Sequence, residues 1–269
     1  MWTRNDFQRR CRPGCIGMIH LAPLPGAPGH AGSLEAVIEA ALADLSALVD
    51  GGVTAVMMEN FNDIPFHPDS VPAVTVAAMA VLGRELRRQQ PDVALGVNVL
   101  RNDADSALAV AAAVGASFIR VNVHTGSMVT DQGPLVGQAH RTLRRRRELG
   151  LDEVGILADV RVKHAAPLAA RDLADEARDL RLRGLADALV VSGAATGAAT
   201  DPADLQVLRK ALPDCPLLVG SGVTLDNLPL YRDLADAVIV GTSLKSDGRV
   251  AVDRVQALIA ALGRRKDSS

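Results

Sequence analysis

The chain has 269 residues, 48% of them hydrophobic and only 2% aromatic, with a formal net charge of −2. That apolar content excludes a disordered chain. The near-neutral charge and scarcity of rings exclude a protein that holds a nucleic-acid polymer by charge or base stacking.

Residues 1–12 are polar and arginine-bearing, with no apolar signal core, and are expected to be an N-terminal extension. No apolar run reaches membrane-spanning length, so a cytoplasmic protein without a membrane span is expected. Cys11, Cys15 and Cys215 are too few for a four-thiolate zinc site and are expected as reduced thiols.

The first strand is Cys15-Ile16-Gly17-Met18-Ile19-His20. Residues 21–29 hold three prolines and must be loop, because proline lacks the N–H a helix needs. Ser33 caps a helix to about Val49, closed by Gly51-Gly52. The second strand covers 53–58 and ends at Glu59-Asn60. A loop over 61–70 and a helix over 73–88 follow. The third strand covers 93–99, and Asp103 or Asp105 starts a helix that stops at Gly115. The fourth strand covers 117–123. Residues 127–133 are a loop, and a helix follows Gly133-Pro134 to Gly150. The fifth strand covers 154–160, with a helix over 168–182 stopped by Gly184. The sixth strand covers 188–193, and Asp201-Pro202 caps the helix behind it.

Two apolar runs that stop at glycine come next, Leu217-Leu218-Val219-Gly220-Ser221-Gly222 and Ala237-Val238-Ile239-Val240-Gly241-Thr242-Ser243. Thr224 and Asn227 read as the cap of a helix between them. A last helix covers 250–262, and residues 264–269 are expected to be a disordered tail. Eight strand–helix pairs with no segment left over imply a parallel sheet and favour closure into a (β/α)8 barrel filling residues 1–269 as one domain. An open doubly wound sheet is the alternative.

In such a barrel the strand ends converge on one mouth, and a phosphate cradle lies after strands seven and eight. Glycine lets backbone N–H groups approach an anion closely. Gly220, Ser221, Gly222, Gly241, Thr242 and Ser243 are therefore the expected phosphate-binding residues. The same convergence gathers Glu59 and Asp159, two carboxylates able to divide acid and base duties. Their alternative is a rim salt bridge or loop cap. Lys163 and His164 follow the fifth strand beside Asp159. Lys163 suits a Schiff base, phosphate or hydroxyl contact, and His164 acid or base work; a solvent-facing pair is the alternative. His20, Asn98, Arg120, Asn122, Ser192, Gly193 and Thr196 are expected to contact substrate. The small-residue stretch over 192–200 is either a ligand-closing loop or a plain turn. His67 and His124 lie in loops near the same face. No His-x-His or His-Glu-x-x-His spacing supports a metal, so no cofactor is expected; a divalent ion held by His20, Glu59, Asp159 and His164 is the alternative. Arg141, Arg144, Arg145, Arg146 and Arg147 read as a solvated helix face, or else as a partner patch. The alanine-rich helices are compatible with a homo-oligomer.

Several strings occur together in one order: Ile16-Gly17-Met18-Ile19-His20-Leu21-Ala22-Pro23-Leu24-Pro25-Gly26, Met58-Glu59-Asn60-Phe61-Asn62-Asp63-Ile64-Pro65-Phe66, Asp159-Val160-Arg161-Val162-Lys163-His164-Ala165, Gly220-Ser221-Gly222-Val223 and Val240-Gly241-Thr242-Ser243-Leu244-Lys245. With Ser192-Gly193 and Thr196-Gly197 they resemble the BtpA family, which includes SgcQ-like proteins, over nearly the whole chain. The resemblance implies a single TIM barrel of the phosphate-binding type. The loop after Ser192 departs from the family by being alanine-rich. The expected function is an enzyme acting on a phosphorylated sugar or nucleotide-like small molecule. Either glycosidic-bond chemistry at a ribosyl phosphate or acid/base isomerase or lyase chemistry would suit the residues. A non-catalytic biogenesis factor is the alternative that the resemblance implies.

Overall fold

The structure, a computed structural model, describes residues 1–11, 14–162, 164–169, 171–193 and 199–263. Eight parallel strands form a closed barrel: β1 (Cys15–His20), β2 (Ala55–Glu59), β3 (Ala94–Asn98), β4 (Phe118–Val121), β5 (Gly155–Arg161), β6 (Ala188–Val191), β7 (Leu217–Val219) and β8 (Ala237–Val240). Each strand pairs with the next barrel strand in the chain, and β8 closes on β1 through Cys15–Val238, Ile16–Ile239 and Gly17–Val240. This is the expected TIM barrel. Behind the strands lie helices α2 (Leu34–Asp50), α3 (Ala73–Gln89), α4 (Ala104–Val114), α5 (Ala139–Glu148), α6 (Leu173–Arg178), α7 (Pro202–Ala211) and α8 (Val252–Gly263), with α1 (Arg4–Arg10) at the N-terminus.

The helices begin where their caps sit. Ser33 accepts a hydrogen bond from the Ala36 N–H, Asp103 from the Ser106 N–H and Asp201 from the Ala203 N–H. Arginines in late helical turns do the converse work. Arg87 of α3 donates to the carbonyls of Pro91, Val93 and Gly115, and Arg209 of α7 to those of Pro213, Cys215 and Leu234. Each pins the loop that leads back to the barrel floor.

Strand alternation divides the core into two layers. Ile19, Val56, Met58, Val97 and Ile119 face the helices. Ile16, Met18, Ala55, Met57, Phe118, Leu157, Val190, Leu218 and Ile239 fill the barrel. Two inward glycines give room to large rings: a Cβ on Gly96 would lie 2.0 Å from Phe118, and one on Gly155 would lie 2.2 Å from Trp2.

Residues 1–11 are not the polar extension expected. Thr3 caps α1 in a reciprocal box with Asp6, and Trp2, Phe7 and Cys11 are buried with the barrel interior. Two buried aspartates, each just before a barrel strand, hold this plug. Asp187 accepts from Trp2 N–H (3.1 Å), Arg146 Nη1 (2.7 Å) and Ile156 N–H (2.9 Å). Asp236 accepts from Arg4 Nε (2.8 Å), Arg209 Nη2 (2.7 Å) and Leu217 N–H (2.9 Å). The polar residues of the segment face out while its rings point in.

Three other expectations change. Residues 127–133 are not simply loop: Ser127–Thr130 pairs antiparallel with Gly133–Val136 on one side and Ala165–Pro167 on the other, making a three-stranded side sheet. That pairing delays α5 to Ala139 and α6 to Leu173, where Asp172 supplies the cap; α6 runs on as a π-helical turn, Asp179–Arg183. Finally, β7 is not followed by an α-helix. Thr224 and Asn227 do make reciprocal cap bonds, Thr224 N–H to Asn227 Oδ1 at 2.8 Å and Asn227 N–H to Thr224 Oγ1 at 3.3 Å. Only a 3-10 turn, Leu228–Leu230, follows. Pro229 lacks the N–H an α-helix would need there, and its ring would meet the Leu225 carbonyl.

All three cysteines are free and buried; burial pushes the Cys11 and Cys15 thiols up to about 12 and Cys215 up to about 11, away from reactivity. No helix among the described residues is long and apolar enough to cross a membrane. Trp2→Ala should lower stability by about 3–5 kcal/mol, the usual cost of removing a buried aromatic. Urea denaturation would show this as a lower midpoint with an unchanged slope.

Candidate active site at the C-terminal mouth of the barrel

Inward-facing positions change character near the C-terminal strand ends. On β1 the inward series is Ile16, Met18, His20; on β2 it is Ala55, Met57, Glu59; on β3, Ala94, Gly96, Asn98. On β4 it is Phe118, Arg120, Asn122, and on β5 Leu157 gives way to Asp159. On β6, Val190 leads to Ser192, and on β7 and β8 Leu218 and Ile239 lead to Gly220 and Gly241. His20, Glu59, Asn98 and Arg120 stand in register on four neighbouring strands. One wall of the mouth is therefore ionic and amide-bearing, and the facing wall is glycine.

The ionic wall is buried: Glu59, Asn98, Arg120, Asn122 and Asp159 are each at most 4% exposed. Arg120 holds Asp159 with two parallel bonds, Nε to Oδ1 at 2.9 Å and Nη2 to Oδ2 at 3.0 Å, and Asn122 Nδ2 donates to the same Oδ2 at 2.9 Å. Such forked pairs fix geometry as well as charge. Burial opposes the Arg120 charge, but the charge and hydrogen bonds of Asp159 outweigh it and hold the guanidinium above its ordinary pKa. Asn98 Nδ2 donates to Glu59 Oε2 in the same manner. Arg101, just past β3, is a buried residue that the sequence reading missed. Burial lowers its pKa while Asp159, Asp131 and Glu59 act against that, so its guanidinium feels this same cluster. Its one sequence signal was an arginine three residues beyond a polar strand end.

A cavity of about 270 Å³ opens between the walls. Met18, His20, Glu59, Phe61 and Arg120 line one side; residues 220–224 and 239–243 line the other. His20 stacks on Phe61, with ring centroids 4.4 Å apart. The glycines are demanded by space. A Cβ on Gly220 would lie 2.4 Å from Val190 and 2.5 Å from Ser192 Oγ, and one on Gly241 would lie 2.6 Å from His20 Cε1. Ser243 Oγ donates to the Val223 carbonyl at 2.7 Å, tying the two glycine loops together. A 3-10 turn, Thr242–Leu244, begins at the cavity wall. The N–H groups of Ser221, Gly222, Thr242 and Ser243 have no hydrogen-bond partner among the described residues, and the Ser221 hydroxyl has none either. Backbone N–H groups without partners beside a cavity are the kind of donor that anion sites use.

The sequence matches the BtpA family across residues 11–264. The chain belongs to the BtpA family. It is 48% identical over 252 residues to the photosystem I biogenesis protein BtpA of Synechocystis, covering 92% of this chain and 87% of that one. It is 34% identical over 235 residues to the sgc region protein SgcQ of Escherichia coli, covering 87% and 86%. Among solved structures, thiamine phosphate pyrophosphorylase from Pyrococcus furiosus superposes with a TM-score of 0.56 at 15% identity, covering 93% and 95% of the two chains. N-(5'-phosphoribosyl)anthranilate isomerase from Pyrococcus furiosus gives 0.57 at 10% identity, covering 94% and 99%. At those identities the two solved structures speak to the barrel alone.

In this BtpA-family barrel the expected residues separate by position. His20, Glu59, Arg120, Gly220, Ser221, Gly222, Gly241, Thr242 and Ser243 line the cavity. Asn98, Asn122 and Asp159 stand beside them in the ionic wall, and Ser192 approaches Gly220. Gly193 is buried next to Ser192. His164 is exposed, with φ 56°, and is not among the cavity-lining residues. Lys163 and Thr196 lie outside the described residues. His67 is exposed, whereas His124 is neither rim nor surface: it is fully buried, with Nε2 donating to the Gly184 carbonyl at 2.8 Å. Among the described residues no group of three or more His, Cys, Asp or Glu is arranged to hold a metal ion. The arginine-rich α5 is mostly a solvated face, with Arg141 paired to Asp105 and Arg147 to Asp152, but Arg146 turns inward to Asp187.

Arg120→Met strands a buried carboxylate and should destabilise the fold by about 3–5 kcal/mol, with Arg120→Met/Asp159→Leu recovering most of it in urea denaturation. His124 is held below its ordinary value of 6.5 chiefly by burial. The unfolded chain therefore binds the extra proton first, and stability is lost as pH falls below about 6.5. His124→Gln, which can still donate to Gly184, should lose less stability between pH 7.5 and 5.5, read from the urea midpoints.

Proposed function

We propose that this protein is an enzyme acting on a phosphorylated sugar or nucleotide-like small molecule, with its phosphate at the loops after β7 and β8. The observation that carries this reading is one cavity with backbone N–H groups that lack partners among the described residues on one side and a buried acid on the other. The solved neighbours lend support, one being named for thiamine phosphate and the other for a phosphoribosyl compound.

The hydrogen bonds divide the two carboxylates between different tasks. Asp159 is occupied by Arg120 and Asn122, so it serves to aim Arg120 at the cavity. Glu59 is the one carboxylate lining the cavity among the described residues. His20, its register partner on β1, stands next to it. This favours proton transfer over a glycosidic mechanism needing two available carboxylates. Glu59 takes a proton from the substrate, His20 serves as the second acid or base, and the fixed Arg120 charge stabilises the developing oxyanion. Lys163 remains a candidate for carbonyl chemistry through its place after Asp159 in the sequence.

A thermal-shift screen of inorganic phosphate and sugar and nucleotide phosphates tests the reading, since a ligand of the native state raises its melting temperature. Stabilisation by phosphate esters should disappear in Gly241→Val. On the substrate so found, Glu59→Gln should keep binding and lose roughly 10²–10⁴-fold in kcat. Full turnover by Glu59→Gln, or stabilisation by none of these compounds, would reject it. A stable protein partner seated over the mouth would instead favour an assembly role, as in the name of the Synechocystis relative.

A further inference from the structure

The ionic wall carries two side-chain amides in the same arrangement. Asn98 donates Nδ2 to Glu59, and Asn122 donates Nδ2 to Asp159. A carboxylate only accepts hydrogen bonds, so each amide must turn its NH2 group toward the acid and its carbonyl away. The two carbonyl oxygens, Oδ1 of Asn98 and Oδ1 of Asn122, are buried without a partner among the described residues. Their residues are 1% and 3% exposed and occupy inward positions at the barrel mouth, in line with the cavity-lining Glu59 and Arg120. A buried acceptor left unmatched is destabilising, and here two occur on neighbouring strands of one wall.

Acceptors of this kind call for donors on the ligand. A fully ionised phosphate ester or carboxylate offers none, and a hydrocarbon body offers none. Sugar hydroxyls do. We propose that the site takes a polyhydroxylated phosphate ester, two of whose hydroxyl groups donate to Oδ1 of Asn98 and Oδ1 of Asn122 while its phosphate lies on the glycine wall. The carboxylates thus act on specificity at one remove, by fixing the direction of the amides. This deepens the proposed function and rests on it.

Calorimetric titration of the full chain with inorganic phosphate, propyl phosphate, ribose 5-phosphate, ribulose 5-phosphate and glucose 6-phosphate separates the two ideas. Propyl phosphate keeps the anion and lacks hydroxyls. The tightest sugar phosphate should bind at least about a hundredfold more tightly than propyl phosphate, about tenfold for each hydrogen bond. Asn98→Leu and Asn122→Leu should each shrink that gap about tenfold and leave inorganic phosphate binding unchanged, which also reports that the variants fold. Equal affinity for propyl phosphate and the sugar phosphates overturns the hydroxyl assignment and leaves the phosphate site standing. A gap that survives in both variants overturns it too. If neither inorganic phosphate nor any ester binds, both readings fall. If magnesium alone stabilises the wild type and not the Asn variants, the acceptors serve a cation and the hydroxyl assignment is overturned.

Discussion

A strand turns every second side chain to the same face, and closing eight strands makes that face the inside of a barrel. The character of the barrel mouth depends on how the inward series ends. Ile16 and Met18 precede His20, Ala55 and Met57 precede Glu59, and Ala237 and Ile239 precede Gly241. The apolar members pack the middle of the barrel. Polar residues enter the inward series only toward the C-terminal strand ends, where the interior opens into the cavity. The Arg120–Asp159 pair is the test of that rule. It is almost fully buried although Arg120 borders the cavity, and it persists because two parallel hydrogen bonds and an Asn122 contact meet each other's demands.

The two ends of the barrel answer different needs. At the floor, Trp2 and Phe7 close the interior, and Asp187 and Asp236 convert loop N–H groups, helix arginines and the N-terminal segment into one hydrogen-bonded collar. Those aspartates satisfy backbone donors and hold strands in place. At the mouth, donors and acceptors instead lack partners among the described residues: N–H groups on the glycine loops, carbonyl oxygens on Asn98 and Asn122. Among the described residues, buried polar groups are thus matched at the floor and left unmatched at the mouth.

Much of the barrel was legible in the sequence, since each strand is a short apolar run bounded by glycine, proline or a polar residue. The glycine loops were legible for the same reason. The misreadings each have a local cause. Trp2 and Phe7 are only two rings among charged residues, and nothing in residues 1–11 says that a barrel floor awaits them. Residues 127–130 and 165–167 pair across a gap of more than thirty residues, which no local pattern announces. The Thr224–Asn227 cap is genuine, yet Pro229 ends the helix it would start. His124 lies in a sequence that reads as loop and is buried because Gly184, sixty residues on, offers its carbonyl.

By itself the sequence determined the repeating strand–helix order, apart from the missing helix after β7, and which residues stand at the strand ends that form the mouth. Those are consequences of local periodicity and of where glycine and proline permit a chain to turn. Tertiary structure alone decided which of the candidates share a cavity, and that Asp159 is committed to Arg120 while Glu59 faces the open space. The reason is distance: a hydrogen bond between residues 39 apart exists only when the closed barrel brings their strands side by side.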